Sequence, residues 1–285
     1  RDLRMSRGLG DVYKRQAALL PFASIFAGST AFAADAGNLK KLRVGVTAGP
    51  AAEILEQVVP LAKAKGLDIQ IFEFQDYIQP NAALDSGDLD ANIFQTIPFM
   101  EQTIKDRGYH LSVAGKGFTL PMAFYSKKVK SFAEAPKGAT VGIPNDPAMG
   151  GRALFLLEKG GVIKLRKGVG YTPSVLDIVE NPKDLKFVEL EAAQLPHSLN
   201  DLTISAVNGN YAYVANLNPT RDGILVEDAD GPYVCNIVVN TKDLGKPWVK
   251  QLVEAYQQPQ IAAWIKEKYK GIVTVSYTHL RAHET

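Results

Sequence analysis

The sequence predicts an α/β protein of two lobes with a ligand cleft between them. Three patterns point there. Strand-like and helix-like periodicities alternate three times between residues 42 and 107, a second alternation starts near Tyr125, and an apolar run returns at 232–239. Alternation of this kind specifies parallel sheets wrapped by helices. Each alternation is too short to fill the chain, so two units are expected, with the late run carrying the chain back to the first.

The elements follow in order. Residues 42–46 form a short β-branched run that ends at Gly49-Pro50. From Glu53 to Lys65, Ile54, Leu55, Val58, Val59 and Ala62 recur at helical spacing, and Gly66 stops the helix. Pro60 is expected to kink it, because proline removes one internal hydrogen bond. Residues 69–74 alternate as a strand, and 77–86 read as a short helix opened by Tyr77 and closed by Gly87. A third strand (89–94) and a third helix (98–107, stopped by Gly108) complete the first unit. In the second unit, 139–143 is a strand, and Asp146-Pro147 caps a helix that runs to Lys159. A turn-rich connection covers 160–170, Thr172-Pro173 is expected to open a helix, and 186–190 and 202–207 are strands. Two amphipathic helices, 246–256 and 259–268, close the chain.

The composition is that of a globular protein, with 46% hydrophobic and 22% charged residues in 285. Its formal charge of +2 comes from the ends. Of 32 Lys+Arg and 30 Asp+Glu, residues 1–33 hold five basic and two acidic side chains and 276–285 one of each, which leaves 26 against 27 between them. No basic footprint for nucleic acid remains. Residues 1–16 and 276–285 match the periodicity of neither neighbour and resemble translated sequencing-adapter sequence, so they are read as non-native. Residues 17–33 are apolar and end in Ala31-Phe32-Ala33, the pattern of a cleaved signal peptide. Export as a soluble periplasmic protein is therefore expected. No Cys follows the apolar run to accept a lipid. The single Cys, Cys235, leaves no internal disulfide.

Six motifs carry a resemblance. They are GVTAGPAAEILEQVVPLAKAKGLDI, DYIQPNAALDSGDLDANIFQTIPFMEQ, VGIPNDPAMGGRALFLLEKGGVIKL, DIVENPKDLKFVELEAAQLP, EDADGPYVCNIVV and KPWVKQLVEAYQ. Together they resemble the NlpA family, substrate-binding components of methionine-type ABC importers. The resemblance covers residues 40–273. It implies a type II periplasmic-binding-protein fold: lobe 1 from 40–124 and 233–275, lobe 2 from 125–232, and two hinge strands near 118–125 and 232–239. It also implies delivery of a small ligand to a permease with its ATPase, by a monomer that carries no cofactor.

The same residues can be read physically. Arg152 lies about one turn into the helix opened by Asp146-Pro147, where a guanidinium beside free amides suits a ligand carboxylate. The family places a carboxylate-binding Arg there; a solvated surface Arg is the competing reading. Tyr77 and Phe94 resemble the family's stacking aromatics, with core packing as the alternative. Asn208 matches an Asn that contacts the amino-acid head group, although Asn208-Gly209-Asn210 also has turn composition.

Four further pocket positions depart from the family. Methionine-binding relatives carry His and Tyr where this chain has Thr96 and Phe99, and Asn where it has Met149 and Cys235. Ala51 replaces a His in the GPAAE loop. These exchanges remove hydrogen-bonding groups while keeping Arg152, so weak methionine binding, or preference for another carboxylate with an apolar body, is expected. Two other function classes compete with this one. An enzyme on this fold would have Cys235 with His110 or His197 as its only nucleophile–base pair, and these residues form no recognisable motif. A regulatory effector domain would need a DNA-binding helix pair, and the chain begins with an export signal instead.

Overall fold

The computed structural model describes residues 39–228 and 232–277. The segments 1–16 and 17–33 lie outside those residues, as does the end at 276–285 apart from Ser276 and Tyr277.

The first lobe begins with β1 (Lys40–Thr47), α1 (Pro50–Ala64), β2 (Leu67–Phe74), α2 (Gln79–Ser86), β3 (Ala91–Gln95), α3 (Ile97–Arg107) and β4 (Leu111–Thr119). Leu42, Val44 and Val46 on β1 are completely buried, as the alternation of that strand requires. Helix α1 starts at Pro50, whose fixed φ suits a first helical position. It is one continuous helix through Pro60. Pro60 lies on the exposed face, so water can satisfy the carbonyl that loses its partner. The helix expected from Tyr77 begins instead at Gln79. Asp76 Oδ1 accepts the N–H groups of Ile78 and Gln79, which holds Tyr77 in a bend ahead of the helix.

The chain crosses to the second lobe at 120–122 and forms β5 (Ala123–Tyr125), β6 (Thr140–Pro144), α4 (Pro147–Lys159), β7 (Lys164–Leu165), β8 (Ile178–Glu180), β9 (Lys186–Leu190), α5 (Leu195–Ser198), β10 (Ile204–Val207), α6 (Gly209–Val214), α7 (Pro219–Asp222) and β11 (Gly223–Val226). Asp146 caps α4 by accepting the Met149 N–H at 2.8 Å. The helix expected at Thr172-Pro173 is absent. Ser174 and Asp177 close a capping box around one 3₁₀ turn, after which the chain enters β8. That strand pairs with β7, inside the connection read as turns.

The return segment leads into β12 (Val234–Asn240), then α8 (Pro247–Tyr256), α9 (Pro259–Tyr269) and β13 (Thr274–Val275). Two mixed sheets result. The first has the order β13-β4-β12-β3-β1-β2, and the second β11-β5-β10-β6-β9. β1 is parallel to β2 and β3, whereas β12 is antiparallel to β3 and β4. In the second sheet β6 is parallel to β9 and β10, and β5 is antiparallel to β10. Strand β12 thus brings the chain back into the first sheet, which makes this the two-lobe α/β fold expected of a periplasmic binding protein. Each sheet has its own apolar core, one beneath α1, α8 and α9 and the other around α4. Tyr277 packs into the first of these and Ser276 hydrogen-bonds Thr119. No helix of the described residues is long and apolar enough to cross a membrane.

Candidate functional site

The carboxyl ends of β1 and β3, the first turn of α4, the start of α6 and the beginning of β12 converge on one cavity. Its volume is about 440 Å³ with the mouth included. Tyr77, Phe94, Thr96, Phe99, Met149, Arg152, Asn208 and Cys235, the eight residues singled out from sequence, all line it.

Aromatic rings form one wall. Tyr77, Phe94 and Phe99 lie 5.8–5.9 Å apart, centroid to centroid, in tilted and edge-on pairs. Phe94 and Phe99 come from the first lobe yet join the second lobe's apolar cluster beside Met149. They serve as wall and as packing at once, so the two readings of these aromatics do not exclude each other. The Tyr77 hydroxyl donates to Asn210 Oδ1 on α6. Burial holds its pKa well above the usual phenol value, so it stays a neutral donor.

Arg152 is 4% exposed, which excludes the solvated-surface reading. Its Nε donates to Glu227 Oε1 at 3.0 Å, and its Nη2 donates to Glu227 Oε2 and, at 2.9 Å, to the Leu120 carbonyl. The guanidinium also lies 4.3 Å over the Tyr233 ring. Burial alone would lower its pKa; the adjacent Glu227 carboxylate reverses that, and the net shift is upward. Nη1 points elsewhere: among the described residues it meets only the Met149 sulfur, at 3.9 Å. Glu227 is the partner that sequence reasoning missed. It sits in the EDADGPY motif, but nothing local marks it, because it lies 75 residues from Arg152.

Two buried oxygens on residues that line the cavity have no hydrogen-bond partner among the described residues: Asn208 Oδ1 and Thr96 Oγ1. Asn208 occupies the N-cap of α6, yet its side chain makes no cap bond. Gly209 follows because a Cβ there would lie 2.8 Å from Leu120 Cβ and 2.9 Å from the Pro121 carbonyl. Close seating of α6 on the crossing segment thus fixes Asn208 at the cavity. Gln95, also missed, is held by a buried amide network with Asn81 and Asn92. Cys235 donates to the Phe94 carbonyl at 3.3 Å, and burial pushes its thiol up to about 12. It is therefore a neutral small side chain, with neither His110 nor His197 beside it in the cavity. No three metal-ligating side chains cluster among the described residues.

The NlpA lipoprotein family matches residues 42–276. This chain belongs to that family. Among curated NlpA relatives, the D-methionine-binding lipoprotein MetQ of Salmonella typhimurium is 47% identical over 240 residues, covering 83% of this chain and 89% of the relative. The MetQ of Escherichia coli is 45% identical with the same coverage. Among solved structures, a nutrient binding protein from Burkholderia cenocepacia bound to methionine is 48% identical, with a TM-score of 0.81 over 83% of this chain and all of that one. The crystal structure of the methionine-binding protein MetQ gives 45% and 0.80, over 83% of this chain and 98% of that one. This NlpA member thus carries its family's fold across nearly the whole length of those neighbours.

Proposed function

We propose that this NlpA protein is the solute-binding component of an ABC importer. It captures an amino acid or a related small carboxylate between its lobes and delivers it to a permease driven by an ATPase. One observation carries the reading: residues bearing a buried guanidinium and two buried oxygens without partners among the described residues line one aromatic cavity. That set offers a donor to a carboxylate, acceptors to an amine, and an apolar wall to a side chain. Methionine is the default ligand, because relatives at 45–48% identity are named for it or hold it.

The protein acts in the periplasm as a monomer that carries no cofactor. It binds without chemistry. The one buried thiol is neutral and has no base beside it, which is unsuited to nucleophilic attack. Buried in β12, Cys235 does not serve as a lipid anchor either.

Native mass spectrometry of gently purified protein, followed by a thermal-shift screen of amino acids and small organic acids, tests this proposal. A retained or strongly stabilising amino acid is the expected result. Absence of both retained ligand and any shift would refute the solute-binding reading.

A further inference from the structure

Arg152 lines the cavity as one half of a buried ion pair with Glu227. Among the described residues that line the cavity, Arg152 is the only charged one. Its charge is already balanced, because Glu227, which is not among the residues lining the cavity, occupies Nε and Nη2. The Glu227 carboxylate is itself fixed, since the Met122 N–H donates to it at 3.1 Å and its side chain is 11% exposed. Nη1 is left as the guanidinium nitrogen with no oxygen partner among the described residues, beside Met149 of the cavity lining, and the pair adds no net charge.

We propose that Glu227 is a specificity-determining residue that makes the site select zwitterionic amino acids over simple monocarboxylates; this rests on the solute-binding reading above. A monocarboxylate against Nη1 makes a buried group of one guanidinium and two carboxylates, with a net charge of −1. Such an uncompensated charge is expensive away from water. A zwitterion brings its own cation, and the sum is zero. Asn208 Oδ1 and Thr96 Oγ1, both buried and unpartnered, supply acceptors for that ammonium. Were Arg152 unpaired, the preference would reverse: a monocarboxylate alone would neutralise it, and a zwitterion would leave an excess positive charge.

Matched pairs test this by isothermal titration at neutral pH: L-leucine with 4-methylpentanoate, and L-methionine with 4-(methylsulfanyl)butanoate. The intact protein should bind the amino acid of the better pair at least tenfold more tightly than its deaminated partner. Glu227→Gln keeps an acceptor for the Met122 N–H but releases the Arg152 charge. It should narrow the ratio at least tenfold, chiefly because the monocarboxylate binds more tightly. Glu227→Asp keeps the charge and should retain the preference. A wild-type ratio below threefold overturns the inference, whether or not the Gln variant folds. So does a Gln variant that weakens both members equally, which is what a purely structural brace would do. Binding by neither member of either pair in the wild-type protein overturns the solute-binding reading as well.

Discussion

Arg152 and Asn208 line one cavity but are held differently, and truncation should separate them. Arg152→Ala strands the Glu227 carboxylate in a site where both side chains are almost fully buried. It should cost roughly 3–5 kcal/mol of stability as well as ligand binding. Asn208→Ala removes an oxygen that bonds nothing in the protein. Stability should change by no more than about 0.5 kcal/mol, while ligand affinity falls by about 1–3 kcal/mol. Urea unfolding and calorimetry on the two variants check both; unchanged affinity in Asn208→Ala would remove that oxygen from the ligand's contacts. Cys235, Thr96, Phe99 and Met149 bear on ligand identity. With a neutral thiol and three small or largely apolar groups there, L-methionine should not give the largest shift in a thermal screen. Cys235→Asn, which restores an amide, should raise its rank. A dominant response to L-methionine in the wild-type protein would show that these positions tolerate the exchange.

At the scale of elements, the alternation of strand and helix was legible because each element has its own periodicity and punctuation, as Asp146-Pro147 shows for α4. Element starts were less so. Tyr77 looked helical by spacing, but the Asx turn at Asp76 delays α2, and Ser174 turns an expected helix into one 3₁₀ turn. All eight candidate residues line the cavity: seven lie in the motifs that carry the family likeness, and Asn208 lies outside those motifs, directly after β10. Glu227 stayed hidden, because an ion pair across 75 residues leaves no local pattern. The α4 cap has a pH signature of its own. Burial pushes the Asp146 carboxyl up to about 6, against the lowering effect of the backbone N–H groups it accepts, with nearby Glu191 pushing the same way as burial. The folded pKa exceeds the unfolded one, near 3.9, so the folded state holds the extra proton between them. This contribution is present below about pH 4 and is lost as the pH rises through about 6. Asp146→Asn keeps a cap acceptor and removes the titration. Relative to wild type it should gain on the order of 2–3 kcal/mol between pH 4 and pH 7. Urea midpoints of both proteins across that range decide it, and a constant difference would mean that Asp146 does not titrate there.

At the scale of the whole molecule, the cavity is assembled from both lobes. Tyr77, Phe94 and Thr96 come from the first, Met149, Arg152 and Asn208 from the second, and the chain passes between the sheets after β4 and again after β11. Helix α6 fastens the lobes beside the cavity. Asn210 accepts from Tyr77, the Tyr211 hydroxyl donates to the Gln75 carbonyl at 3.1 Å, and the Tyr213 hydroxyl donates to Glu53 at 3.0 Å. Each such bond contributes about 1 kcal/mol net, because water replaces it when the lobes part. Three of them are a modest barrier to opening, comparable to what a ligand at a hundredfold excess over its dissociation constant supplies, about 2.7 kcal/mol. A ligand that touches both lobes adds to these contacts, so by hinge bending it should draw the protein shut more completely than in the ligand-free form. Small-angle scattering with and without the best ligand of the thermal screen should show a smaller radius of gyration in the bound state. Superimposable profiles would mean that the α6 bonds hold the cleft closed in the absence of ligand. Entry would then require a rarer opening, and association would be slower than for a cleft that stands open.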